Sequence, residues 1–223
     1  MLESAELKRG LAEVLERIAA ACDRAGRRPE DVRLIGVTKM VPPDIVRRAA
    51  DAGVTEFGEN YVQDLAGKRE AAPDATWHFI GRLQRNKVAQ VLDLADVVHT
   101  LEPGRAAERL ANLAAERGRK VPGLVEVDFT GTRVGASPDE AEPFIQRLSD
   151  LPGLECRGLM TVAPLGEDPR RSFGALRELR DRLLGRFPAV MELSMGMSED
   201  LEAAVEEGAT MVRVGSAIFG PRP

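Results

Sequence analysis

The stretch VRLIGVTK, residues 32–39, decides how the rest of the chain is read. Five of its first six residues are apolar or glycine, β-favouring residues dominate, and the run ends on Lys39 followed by MVPP. A short apolar run bounded by turn residues is the pattern of a buried, parallel-sheet strand. Further short apolar or alternating segments follow at 54–57, 76–80, 96–99, 122–128, 154–160, 190–194 and 210–214. Helical patterns lie between them. Ile45, Val46, Ala49 and Ala50 form one stripe, Phe144, Ile145 and Leu148 a second, and Phe173, Leu176, Leu179 and Leu183 a third. All three suit core packing. Gly53, Gly118 and Gly208 stand where helices should end. Upstream, Leu7, Leu11, Val14, Leu15 and Ile18 place an amphipathic helix over residues 4–22.

Eight strand segments alternating with helices predict an α/β fold, a single (β/α)8 TIM barrel with an extra N-terminal helix. A doubly wound open sheet is the competing arrangement. The 223 residues are expected as one barrel domain spanning residues 1–223.

Composition narrows the function. The net charge of −5 and the acidic isoelectric point argue against a broad nucleic-acid footprint. Cys22 and Cys156 have neither CxxC spacing nor a His/Cys cluster around them, so a disulfide framework or zinc site is not expected. No apolar run approaches the ~20 residues of a membrane span, and the N-terminus lacks the order of a signal peptide. A cytoplasmic protein is expected. Only five of the 31 basic residues are lysines, which leaves few amines for covalent work.

In a barrel, the active site lies at the C-terminal ends of the strands, with a phosphate site commonly after strands seven and eight. Those positions hold Lys39, the FGENY turn (57–61), WHFIG (77–81), GLMT (158–161), SMGMS (194–198) and VRVGS (212–216). Glycines with hydroxyls at two helix starts, Ser198 and Gly215-Ser216, suit an anion of phosphate size. Ser198 reads equally as a plain N-cap, with Glu199 and Asp200 complementing the helix dipole. Arg213 interrupts an apolar strand. It either pairs with Glu126, Asp128 or Glu192, turns to the rim, or contacts a ligand at the barrel mouth. His78 and His99 read as core or rim residues or as bases. Glu59 and Asn60 either cover a ligand or cap the next helix. A lysine near a phosphate corner suits a covalent bond to a sugar-phosphate carbonyl or to pyridoxal phosphate.

Six segments, VTK (37–39), FGENYVQ (57–63), WHFIGRLQRNK (77–87), RGLM (157–160), LSMGMSED (193–200) and MVRVGSAIFG (211–220), together resemble the pyridoxal phosphate homeostasis protein family. The resemblance runs in order along nearly the whole chain. It implies a barrel similar to the N-terminal domain of alanine racemase, with pyridoxal 5'-phosphate (PLP) held as an internal aldimine on Lys39. It further implies that Ser198, with the backbone around Met197, Gly215 and Ser216, holds the phosphate, that Arg213 faces the pyridine nitrogen, and that Asn60 lies beside the ring. Thr38 and Arg133 depart from the residues common in the family, and the segment after Phe219 is short.

An arginine at the ring nitrogen disfavours protonation and weakens the electron sink. The expectation is therefore a PLP carrier of vitamin B6 homeostasis, not an enzyme, monomeric, with PLP-dependent apoenzymes as candidate partners. The alternative is an alanine-racemase-like enzyme. It needs a tyrosine base from a second domain, whereas this chain offers only Tyr61 within the barrel.

Overall fold

The structure, a computed structural model, describes residues 3–220. Helix α1 (Ser4–Ala25) opens the fold, entered through reciprocal capping between Glu3 and Glu6 and ended by Gly26 in the left-handed region. It continues one turn past the segment expected from periodicity, and Leu15 of the expected stripe is half exposed.

Strands and helices then alternate: β1 (Arg33–Val37), α2 (Pro43–Asp51), β2 (Glu56–Glu59), α3 (Val62–Ala71), β3 (Thr76–Phe79), α4 (Val88–Leu94), β4 (Val97–Leu101), α5 (Arg105–Glu116), β5 (Val121–Glu126), α6 (Pro138–Ser149), β6 (Leu154–Met160), α7 (Pro169–Leu184), β7 (Glu192–Ser194), α8 (Leu201–Glu206), β8 (Met211–Val214) and α9 (Ser216–Phe219). The helices start where local chemistry favours it. Ser137 and Glu140 cap α6 reciprocally ahead of Pro138, and Asp168 caps α7 ahead of Pro169.

All eight strands are parallel and close into a barrel in sequence order. Closure runs through β1 and β8, with Ile35 opposite Arg213 and Gly36 opposite Val214. On the other side of β1, Val37 lies opposite Gly58. This is the closed barrel, not the open sheet.

One large apolar cluster fills the space between strands and helices, and includes every residue of the Phe173, Leu176, Leu179 and Leu183 stripe. A second cluster lies inside the barrel, formed by Ile35, Val97, Leu124, Met160 and Met211. The interior is only partly apolar. Buried with it are His78, His99, Ser194 and Arg213.

The additional helix α1 packs across α8 and α9. Gly10 permits that approach: a Cβ there would stand 2.8 Å from the Ala217 carbonyl oxygen. Arg17 hydrogen-bonds Glu202 at 2.6 and 2.8 Å and donates to the Ser198 carbonyl at 2.9 Å. The helix therefore buttresses the turns at the C-terminal end of the last two strands. Ser198 itself precedes α8, which begins three residues later than the hydroxyl suggested. Asp200 is the cap residue, and its own N–H bonds to the Met197 carbonyl in a tight turn.

Candidate functional site

A cavity of about 980 Å³ opens at the C-terminal end of the barrel. Lys39, Asn60, Met197, Ser198, Arg213, Gly215 and Ser216 all line it, brought together from β1, β2, β7 and β8. Glu126, Arg133, Thr100 and Arg82 share the wall.

Lys39 follows β1 by two residues and sits on a locked turn. Thr38 donates through its hydroxyl to the Gly58 carbonyl and to Glu59 Oε2, at 3.2 and 3.0 Å. Lys68 of α3 donates to the Thr38 carbonyl at 2.7 Å and to Glu59 Oε2 at 2.5 Å. The other carboxylate oxygen of Glu59 accepts the N–H groups of Asn60 and Tyr61, at 2.7 and 3.0 Å. Glu59 is fully buried and holds the turn ahead of α3 without capping the helix itself; it does not line the cavity. One side chain thus clamps the ends of β1 and β2 to α3. Past the clamp, Met40 takes a positive φ of 63°, costly for a residue with a side chain. The turn closes through Val41 N–H onto the Thr38 carbonyl.

The Lys39 amine makes no ion pair among the described residues. Its contact is the face of Tyr61, with the ring centroid 5.5 Å away. An amine held without a carboxylate partner in a cavity remains available to a carbonyl carbon.

Opposite strand edges supply a glycine and hydroxyl corner. Gly196 takes a positive φ of 91°, and a Cβ there would stand 2.4 Å from that of Ala204, so only glycine fits. Ser198 Oγ accepts the Ala217 N–H at 3.4 Å, joining the turn after β7 to α9. The Met197 N–H already has a partner, Asp200 Oδ1 at 2.5 Å. Burial pushes the Asp200 carboxyl above its ordinary value, against the Met197 hydrogen bond and the Arg213 charge.

Arg213 points into the barrel and is 5% exposed. Its Nη1 donates to Ser194 Oγ at 2.5 Å and its Nη2 to the Thr161 carbonyl at 2.9 Å. Burial lowers its pKa to about 10, partly offset by Glu126 and Asp200. None of the three carboxylates that the sequence offered is bonded to it. Glu192 pairs with Arg33 at 2.6 Å, and Asp128 accepts the N–H groups of Thr130 and Arg133 at 2.8 Å each. Glu126 faces it only through charge, and burial raises the Glu126 carboxyl to about 7.

Sequence reasoning missed the supports of these residues. Lys68 counted only as one lysine among five, Thr161 only as the end of the segment GLMT (158–161), and Arg17 carried no signal. Lys68 meets Glu59 nine residues back and Thr38 thirty back, while Arg17 and Thr161 meet partners far along the chain, so tertiary packing and no sequence pattern sets these pairs. His78 and His99 are wholly buried core residues away from the cavity lining.

A family profile for the alanine racemase N-terminal domain matches residues 11–223. The pyridoxal phosphate homeostasis protein of Aquifex aeolicus is 41% identical, over 95% of this chain and 96% of its own length. The solved structure of PipY from Synechococcus elongatus with PLP bound superposes with a TM-score of 0.82 at 37% identity, covering 93% of this chain and 100% of that one. An alanine racemase of Clostridium difficile superposes at 0.74 with 15% identity, over 94% of this chain and 57% of the racemase, a likeness of fold alone.

Proposed function

This chain belongs to the pyridoxal phosphate homeostasis protein family, and from that premise we propose that it binds PLP at the barrel mouth, covalently on Lys39, and holds it without substantial turnover. The observation that carries the reading is the convergence of an unpaired amine, a buried guanidinium and a hydroxyl-lined glycine corner in one cavity.

The donor set fits the cofactor group by group. Bound PLP supplies an electrophilic aldehyde, a ring that can drain charge, and a dianionic phosphate. Lys39 is the amine for the aldehyde carbon. Ser198 and Ser216, with the turn at Gly215, are the donors for the phosphate. Asn60 would flank the ring. Arg213 has only donors to offer, so beside the ring nitrogen it would favour an unprotonated acceptor there. A cation at that nitrogen disfavours the protonated ring, which supports holding more than turnover.

The racemase reading gains little from the site. Two-base chemistry needs an acid or base across the cofactor from Lys39, and Tyr61 packs against Lys39 itself. Delivery to PLP-dependent apoenzymes, by a monomer working in the cytoplasm, completes the proposal. The free buried thiols of Cys22 and Cys156 suit such a reducing compartment.

The test is to add PLP to the purified protein, record the visible absorbance, reduce with borohydride and map the pyridoxyl mass. It is expected on Lys39 and lost in Lys39→Ala. A protein that stays colourless, or that is labelled on Lys68 instead, would refute the proposal.

A further inference from the structure

A row of polar groups crosses the barrel interior, and the cofactor reading leaves all but one of them unused. Glu56, the first residue of β2, lies with Oε2 2.9 Å from Nε2 of His78 on β3. His78 Nδ1 is 2.8 Å from His99 Nε2 on β4. His99 Nδ1 is 2.9 Å from Ser194 Oγ on β7, which takes Arg213 Nη1 at 2.5 Å. Both imidazoles are wholly buried and meet edge to face, with centroids 4.9 Å apart. The row starts at the N-terminal end of the strands and finishes at the cavity.

The end groups dictate the order of protons. Arginine only donates, and an ionised carboxylate only accepts. Every group between them must then take one hydrogen bond and give one. Ser194 accepts from Arg213 and donates to His99 Nδ1. His99 donates through Nε2 to His78 Nδ1, and His78 donates through Nε2 to Glu56. Both rings are neutral and carry their proton on Nε2. An imidazolium would turn the Ser194 hydroxyl away from His99, leaving it with no acceptor among the described hydrogen bonds. A half-satisfied buried network costs more than an apolar one.

We propose that Glu56 is a positioning residue for Arg213 that, through His78, His99 and Ser194, holds the guanidinium as a fixed donor at the barrel mouth. What Arg213 faces there rests on the PLP reading; the proton order does not. The charges around His99 agree with a neutral ring there. Burial, reinforced by His78, Arg213 and Arg33, holds His99 well below its ordinary range. Burial opposes the charge of Glu56, yet His78, through its hydrogen bond and, when protonated, its charge, together with Arg33 outweighs it and keeps Glu56 below the usual carboxylate range. Arg33 is shared with Glu192, which is off the row. Around Arg213 itself stand Glu126, Asp200 and Arg133, none of them bonded to it.

The chain has two histidines, so ¹⁵N-histidine labelling resolves every ring nitrogen. At pH 7, before any PLP is added, both rings should be neutral with the proton on Nε2. A proton on Nδ1 of either ring, or an imidazolium, overturns the proposal. In Glu56→Gln the rings should divide between tautomers, and PLP should bind about five-fold more weakly with a shifted visible maximum. Glu192→Gln, which removes the neighbouring carboxylate off the row, should do neither. Equal effects from the two variants, or none from Glu56→Gln, also overturn it. If Glu56→Gln does not fold, Ser194→Ala cuts the row beside Arg213 and should weaken PLP to the same extent; wild-type binding would refute the role. Wild-type protein that takes up no PLP defeats the functional reading instead, and the ring nitrogens still decide this one.

Discussion

Lys68 and Glu59 form an ion pair at 2.5 Å with side chains 4% and 0% exposed, and Thr38 joins both of them. Glu59 adjoins Asn60, and Thr38, bonded to both partners, adjoins Lys39, so the pair places both edges of the cavity at once. Removing one partner strands a buried charge. Lys68→Met is expected to cost about 3–5 kcal/mol of stability, since Glu59 is then uncompensated. Chemical denaturation measures the loss. The double variant Lys68→Met/Glu59→Gln should recover part of it, and PLP uptake should fall in both.

The phosphate assignment separates PLP from pyridoxal, which lacks the phosphate. Ser198→Ala and Ser216→Ala should each weaken PLP about ten-fold, the loss expected of one hydrogen bond to a charged group. Pyridoxal binding should stay unchanged. Competition titrations of the two compounds would show it, and equal losses for both would remove the serines from the phosphate end.

Asp200 places a carboxylate oxygen 2.5 Å from the Met197 N–H, at the corner where the phosphate is proposed to lie. Asp200→Asn keeps an acceptor for that N–H while removing the negative charge. PLP affinity is expected to rise several-fold, more at low salt than at high. Unchanged or weaker binding would mean that the phosphate sits elsewhere.

Glu126 carries a pH dependence with a definite sign. Burial raises its carboxyl from 4.5 to about 7 in the folded chain. The folded state therefore holds a proton that the unfolded state has released. Its stabilising contribution is fully present below pH 4.5 and is lost as the pH rises through about 7. Relative to Glu126→Gln, wild type should lose on the order of 2 kcal/mol of stability between pH 5 and pH 8. Parallel urea titrations of the two proteins at several pH values would reveal a flat difference if Glu126 were ordinary.

Much of this molecule was legible along the chain. Runs of four to seven apolar residues between amphipathic stripes need only local hydrophobic spacing to be recognised, and they specify the alternation of β1–β8 with helices. Where spacing blurs, at strand ends and at the start of α8, the edges moved by a few residues. Turn hydrogen bonds there compete with helix geometry, and Asp200 rather than Ser198 won the cap. The mouth was also legible as a set of residues, because glycines, hydroxyls and a lysine at strand ends are conspicuous against an apolar pattern.

Pairing was another matter. Arg213 had three plausible carboxylates in the sequence and bonds to none of them, taking Ser194 and the Thr161 carbonyl instead. His78 and His99 looked like separate residues and are joined between the neighbouring strands β3 and β4. Residue type and periodicity determined which groups turn inward and at which end of the strands they sit. Which donor meets which acceptor was settled by closure of the eight strands into a barrel. That closure brings distant residues within 3 Å of each other and, in the dry interior, obliges every polar group to find a partner.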